Sequence, residues 1–309
     1  MMKTKASAIL NATKPFVMVR ALVQLALTLL MLAVAAIAVG IILALGDRAP
    51  LISFIIALVL VGGIIGLLRF AKRYCLYMIK AAHIAAITEY IHTGAAPTNA
   101  SGYNGVLSYG KEVIQQHFVT ANVAFAADAL VEGATRQIMR WLNKAQNFLS
   151  FIPGSKAVFH FVNFTLSTAL KFVDEAVLSY VFFKKEESNA IKKACDGVVY
   201  YAQSWKGMLK GAIKVAAFVW IVRAVMFVLF SILDGAVVGN FYLNLVIAYV
   251  LMYGVETAVA EPFATCVMIN DYYAAIEGQP LKTDLHQTLI NVSSKFKALW
   301  QKNTENVPS

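Results

Sequence analysis

The chain has 309 residues, of which 59% are hydrophobic and only 14% charged, and it carries a net charge of +10. A soluble domain carries about 25% charged residues, so an ordinary soluble globule is excluded and an all-α, polytopic membrane protein is expected. The basic excess reads as cytoplasmic flanks facing anionic lipid at the inner face, and no compact basic motif with interleaved aromatics points to nucleic acid.

Residues 1–20 hold Lys3, Lys5, Lys14 and Arg20 and no acid, a basic cytoplasmic N-terminus. Ala21–Leu45 then runs uncharged for 25 residues, about 38 Å as a helix. That exceeds the ~30 Å hydrocarbon core and the ~7–15 apolar residues of a signal peptide, so it predicts an uncleaved first span. A polar turn at Gly46–Pro50 leads to a second span, Leu51–Leu68, and residues 21–68 form a transmembrane hairpin. Gly62 with Gly66, and Ala36 with Gly40, make small-xxx-small faces. Such faces let helix backbones approach closely, within the chain or in a homo-oligomer.

Arg69, Lys72, Arg73 and Lys80 make the inner flank of the hairpin and open a basic amphipathic helix over 69–92 that lies along the inner surface. His83 and His92 on it are expected to be interfacial or solvated. Residues 93–110 read as a loop. Two long amphipathic helices follow over 111–183, broken at Ile152-Pro153-Gly154, with Arg136, Arg140 and Lys144 on the polar side of the first. Their polarity leaves three uses open: weak spans, interfacial helices, or helices packed in a bundle. Lys171 is spaced to pair with Asp174 or Glu175. Residues 184–210 join a charged cytoplasmic turn, KKEESNAIKK, to an aromatic anchor of Tyr200, Tyr201 and Trp205.

The second hairpin occupies 211–268, with spans at 212–233 and at 241–262 or beyond, and 269–309 is the cytoplasmic tail. Arg223 falls near the middle of its span, and Glu256 and Glu261 interrupt the next one. Charges at membrane depth face protein, a cavity or a partner, which makes Glu256 the expected partner of Arg223. A span that ends near Val255 would instead leave both acids at the inner interface. Pro262 is expected to break the helix and expose backbone carbonyls. Tyr249, Tyr253 and Trp220 are candidates for an aromatic cage around a cation.

Other chemistry is thinly represented. Cys75, Cys195 and Cys266 lie far apart with no CxxC pair, so neither a disulfide framework nor a zinc site is expected. The five histidines, 83, 92, 117, 160 and 286, include no two spaced three to five apart. No P-loop, GxSxG or HExxH motif occurs, so no enzyme, metal or cofactor is expected. The sequons at Asn11, Asn99, Asn163 and Asn291 fall on the cytoplasmic side or in buried positions and are expected to stay unmodified.

Three short stretches carry a family resemblance. Glu261, Cys266 and Asp271 stand in an order and spacing similar to the last span of the choline-transporter-like family. Gly105-Val-Leu-Ser-Tyr-Gly110 and Phe172-Val-Asp-Glu-Ala176 resemble that family upstream, so the likeness covers roughly residues 100–280. The large cysteine-bearing outer domain is absent, and the chain is about half the usual length. The resemblance implies transport of a small organic cation such as choline. On that expectation Glu256, Glu261, Arg223, Tyr253, Tyr249 and Trp220 form the substrate site. The alternative is a structural or lipid- and partner-binding membrane protein without transport activity.

Overall fold

The computed structural model describes residues 5–45, 49–71, 76–97, 103–116, 172–183, 189–235 and 241–305, with single positions between 131 and 140. The regular elements among these residues are helices, and no strand occurs. In chain order they are α1 (Ala6–Ala12), α2 (Lys14–Leu45), α3 (Pro50–Ala71), α4 (Tyr77–Thr93), α5 (Tyr103–Gln116) and α6 (Val173–Phe183). There follow α7 (Ala190–Gly235), α8 (Phe241–Val255), a π-turn (Glu256–Ala260), α9 (Glu261–Ile276), α10 (Thr283–Val292) and α11 (Ser294–Glu305). Most of the expected stripes between 117 and 171, the break at Ile152-Pro153-Gly154 and the partner choice of Lys171 lie outside the described residues. Arg136 and Arg140, which are described, are exposed as their polar-side assignment requires.

The chain divides into two compact units. The first, here the span unit, holds Phe16–Lys80 and Trp220–Glu261. Three stretches of the chain are long and apolar enough to cross a membrane: Lys14–Ile41, Lys210–Leu233 and Leu243–Ile276. α3 adds an apolar helix of 22 residues, about 33 Å long. Large apolar side chains face outward along these helices, among them Leu22, Leu29, Leu51, Phe54, Ile221 and Ile232. Such a surface is stable only where lipid chains replace water around it. On α8 and the π-turn the outward-facing apolar residues run from Phe241 to Val259, a rise of about 27 Å, close to one hydrocarbon thickness. Close packing inside the unit occurs where α2 meets α8. There Gly254 faces Thr28, and a methyl group at Gly254 would lie 2.9 Å from the Thr28 hydroxyl.

The second, the core unit, holds Met1–Pro15, Ala81–Val219 and Pro262–Ser309. Its apolar residues face inward: Ile84, Ile87, Val198, Met268, Ile269 and Tyr272 are buried. Polar groups carried into this core are hydrogen-bonded, as burial demands. Thr265 donates to the Glu175 carboxylate at 2.5 Å, and the Tyr272 hydroxyl donates to the Gly197 carbonyl at 3.1 Å. Thr13 donates to the Ile9 carbonyl, which leaves the His83 Nε2–H to donate to the Thr13 oxygen at 3.0 Å.

Several expectations change here. The surface helix expected over 69–92 is instead buried continuously from Ala81 to Thr88. The run AAHIAAIT is small or apolar around its whole circumference, and such a helix is enclosed rather than laid on a surface. His83 is accordingly buried at 1% exposure, neither interfacial nor solvated. His92 stacks on the Phe183 ring at 3.7 Å. Its partial burial holds its pKa down at about 4, against the opposing pull of Glu89. Part of the expected loop, from Tyr103, is helical as α5, where the Tyr109 hydroxyl donates to Glu89 at 3.1 Å. The end of the charged turn starts α7: the Asn189 side chain accepts from the Ile191 and Lys192 amides, and Lys193 is buried. The aromatic anchor and the span after it are one helix of 46 residues.

The C-terminal stretch is not a plain polar tail. It forms α10 and α11, which bury His286, Leu289, Phe296 and Leu299. Ser293 caps α11 by accepting from the Phe296 amide at 3.1 Å and donates to Gln137 at 2.7 Å. Lys295, Lys297 and Lys302 stay exposed, as lysines on the outer face of a packed helix must.

Candidate functional site

The site lies in the span unit and is built around the π-turn. A proline at 262 supplies no amide to the carbonyl four residues back, and its ring clashes with that carbonyl. The chain answers by widening one turn instead of breaking. Residues Glu256–Ala260 wind as a π-turn, and the Glu261 amide bonds the Glu256 carbonyl five residues back. Thr257 donates to the Tyr253 carbonyl at 3.0 Å and lies 3.1 Å from that of Gly254, so its hydroxyl serves the carbonyls that the widened turn disturbs. The helix continues at once as α9, so the break expected at Pro262 does not occur. Such single widened turns are costly and concentrate at functional sites.

Two acids flank the turn, and each meets an arginine. Arg223 grips Glu256 with two bonds, Nε to Oε2 and Nη2 to Oε1, both 2.5 Å. The Glu256 side chain is 3% exposed and that of Arg223 31%. A bidentate pair of this kind is the strongest form of charge-assisted hydrogen bond. The second pair joins Arg20 Nη2 to Glu261 Oε2, with 12% and 26% of the side chains exposed. Glu256 falls inside the outward-facing apolar stretch that ends at Val259, and Glu261 falls just past it.

Beside the second pair is a cavity of about 220 Å³ lined by Arg20, Gln24, Leu76, Tyr77, Lys80, Tyr253, Thr257 and Glu261. That is below the ~300–1,000 Å³ of pockets for drug-sized ligands, a size for a small solute. Of the six residues expected in the site, Glu261 and Tyr253 line the cavity, while Glu256 and Arg223 bind each other. Tyr249 and Trp220 are 59% and 52% exposed on the outward apolar face, and neither lines the cavity.

Sequence reasoning missed Arg20, Gln24, Tyr77, Lys80 and Thr257. The signal for Arg20 was present: it is the single charge between Lys14 and Asp47, so it belongs with the span rather than with the flank. Lys80 and Tyr77 had been assigned to a surface helix, and nothing in their local sequence brings them to residue 261. Among the described residues no group of histidine, cysteine and acidic side chains is arranged to hold a metal ion.

Fold and site together define an all-α membrane protein with paired charges in its span region. No family model matches the chain, and neither the curated proteins nor the solved structures contain a match to it.

Proposed function

We propose that this protein is a multi-pass membrane transporter of a small organic cation, with choline as the substrate implied by the resemblance at Glu261, Cys266 and Asp271. The observation that carries the reading is the cavity walled by the Arg20–Glu261 pair next to the widened turn. In this reading α2, α3, the second half of α7 and α8 are four spans, with both termini cytoplasmic because basic flanks stay inside. Arg20 keeps Glu261 charged while the site is empty, and an entering cation competes for that carboxylate. The π-turn is the flexible element, since one turn there has two ways to pack its hydrogen bonds. The Arg223–Glu256 pair acts as a fixed strut that holds α7 against α8.

Uptake of labelled choline into proteoliposomes tests this. The wild type should show saturable uptake, and Glu261→Gln should abolish it with folded protein retained. Uptake at the wild-type rate in Glu261→Gln would sink the proposal.

A second reading, a lipid-binding membrane protein without transport activity, is favoured by one observation. Lys206, Lys210 and Lys214 are exposed at four-residue intervals on α7, a basic stripe suited to anionic head groups. Salt-sensitive binding to anionic vesicles, together with no uptake from a well-folded preparation, would select it.

A further inference from the structure

We infer that the solute taken by the cavity at Arg20 and Glu261 is a zwitterion, a small molecule that joins an ammonium-type cation to a carboxylate. This rests on the cavity being a solute site, as proposed above, and narrows what the site accepts. The charged side chains on the wall are Arg20, Lys80 and Glu261, two cations and one acid. A bare cation drawn to Glu261 has to displace Arg20. It then leaves a guanidinium of 12% exposure without its counter-ion and adds a third positive charge to a wall with one carboxylate. Separating a buried pair in this way is strongly unfavourable.

A zwitterion avoids that state. Its cation takes Glu261 while its carboxylate takes the Arg20 fork, so one internal pair is exchanged for two pairs with the solute and no charge is stranded. The fork has capacity for this. Only Nη2 of Arg20 is bonded to Glu261, and Nη1 has no hydrogen-bond partner among the described residues. A carboxylate matches two parallel donors of one guanidinium. Lys80 adds positive potential on the same wall, and Tyr77 and Tyr253 supply ring faces for an alkylated ammonium.

The test is equilibrium binding of labelled trimethylglycine and labelled choline to the full chain in nanodiscs, with uptake of both solutes measured in parallel. Trimethylglycine should bind at least tenfold tighter than choline. Arg20→Gln should remove that preference, and Arg20→Lys should retain part of it. Should Arg20→Gln fail to fold, Lys80→Gln serves instead, and it should weaken trimethylglycine several-fold while leaving choline unchanged. Choline binding as tightly as trimethylglycine would overturn the inference, as would the absence of binding by either. Displacement of trimethylglycine by inorganic phosphate but not by choline would overturn it in favour of a plain anion site. Trimethylglycine binding without uptake would retire transport and keep the inference. Choline uptake without trimethylglycine binding would do the reverse.

Discussion

In the span unit, Leu22, Leu51, Phe54 and Ile232 point outward and the charges of Arg20, Arg223, Glu256 and Glu261 are turned toward one another. In the core unit, Ile84, Met268, Ile269 and Leu299 point inward and lysines such as Lys206 and Lys297 point out. The same chain thus obeys one rule with two solvents. Apolar surface is removed from water in both units, by lipid in one and by protein in the other. The polar interior differs in kind as well. The span unit uses two full ion pairs, whereas the core unit uses hydroxyl-to-carboxylate and hydroxyl-to-carbonyl bonds such as Thr265–Glu175 and Tyr272–Gly197. Full charges in the span unit are hard to account for by stability alone, since an apolar replacement of a buried pair often costs nothing. Their presence there is what favours a solute site.

The sharpest way to break this comparison is to strand a charge in the span unit. Glu256→Ala leaves Arg223 facing a 3% exposed position and should destabilise by about 3–5 kcal/mol. Replacing both partners by Met should recover most of that, as read from thermal unfolding in nanodiscs. A double variant no better than the single one would show that the pair is more than a mutual counter-ion. In the core unit the equivalent cut is milder. Thr265→Val removes a donor to the buried Glu175 carboxylate and should cost about 1.5–3 kcal/mol by the same measurement.

Glycine substitutions sharpen the contrast in packing. A methyl group at Gly211 would overlap the Asp271 carboxylate, and Gly211→Ala should cost about 1–3 kcal/mol. Gly66 on α3 has nothing within 4 Å of the added carbon, so Gly66→Ala should change stability by less than about 1 kcal/mol. Equal losses at the two sites would mean that the α3 face is covered by a second molecule.

The smallest expected effect is a slope with pH. His92 in the folded core unit has a pKa lowered to about 4, against about 6.5 in an unfolded chain. Between those values the unfolded chain binds more protons, so stability is intact above pH ~6.5 and declines as pH falls toward ~4. The fall in unfolding temperature across that window should be shallower in His92→Phe, which keeps the ring stacked on Phe183. Identical slopes in both proteins would remove His92 as the cause.

The long apolar helices were legible because a run such as Ala21–Leu45 without a charge has few physical uses outside a bilayer. The Arg223–Glu256 contact was legible for a similar reason: two opposite charges in adjacent apolar helices must meet. The tail was misjudged. Leu289, Phe296 and Leu299 are spaced to bury a helical face, but the lysines between them look the same on a packed helix as on an extended one. The aromatic cage failed on geometry. Tyr249 and Trp220 share helical surface with lipid-facing residues, and one strand of sequence does not tell which side of an apolar helix faces inward.

By itself, the sequence determined the helical class, the membrane setting and the presence of charges that need partners, because each follows from local composition and helical period. Only the tertiary structure decided that Arg20 rather than a solvated lysine meets Glu261, and that Pro262 produces a widened turn instead of a break. It alone brought Lys80, 181 positions away in the chain from Glu261, to the same cavity wall. The physical reason is range. Period and hydropathy act over a few turns, whereas the partner of a buried charge is chosen by how distant helices pack.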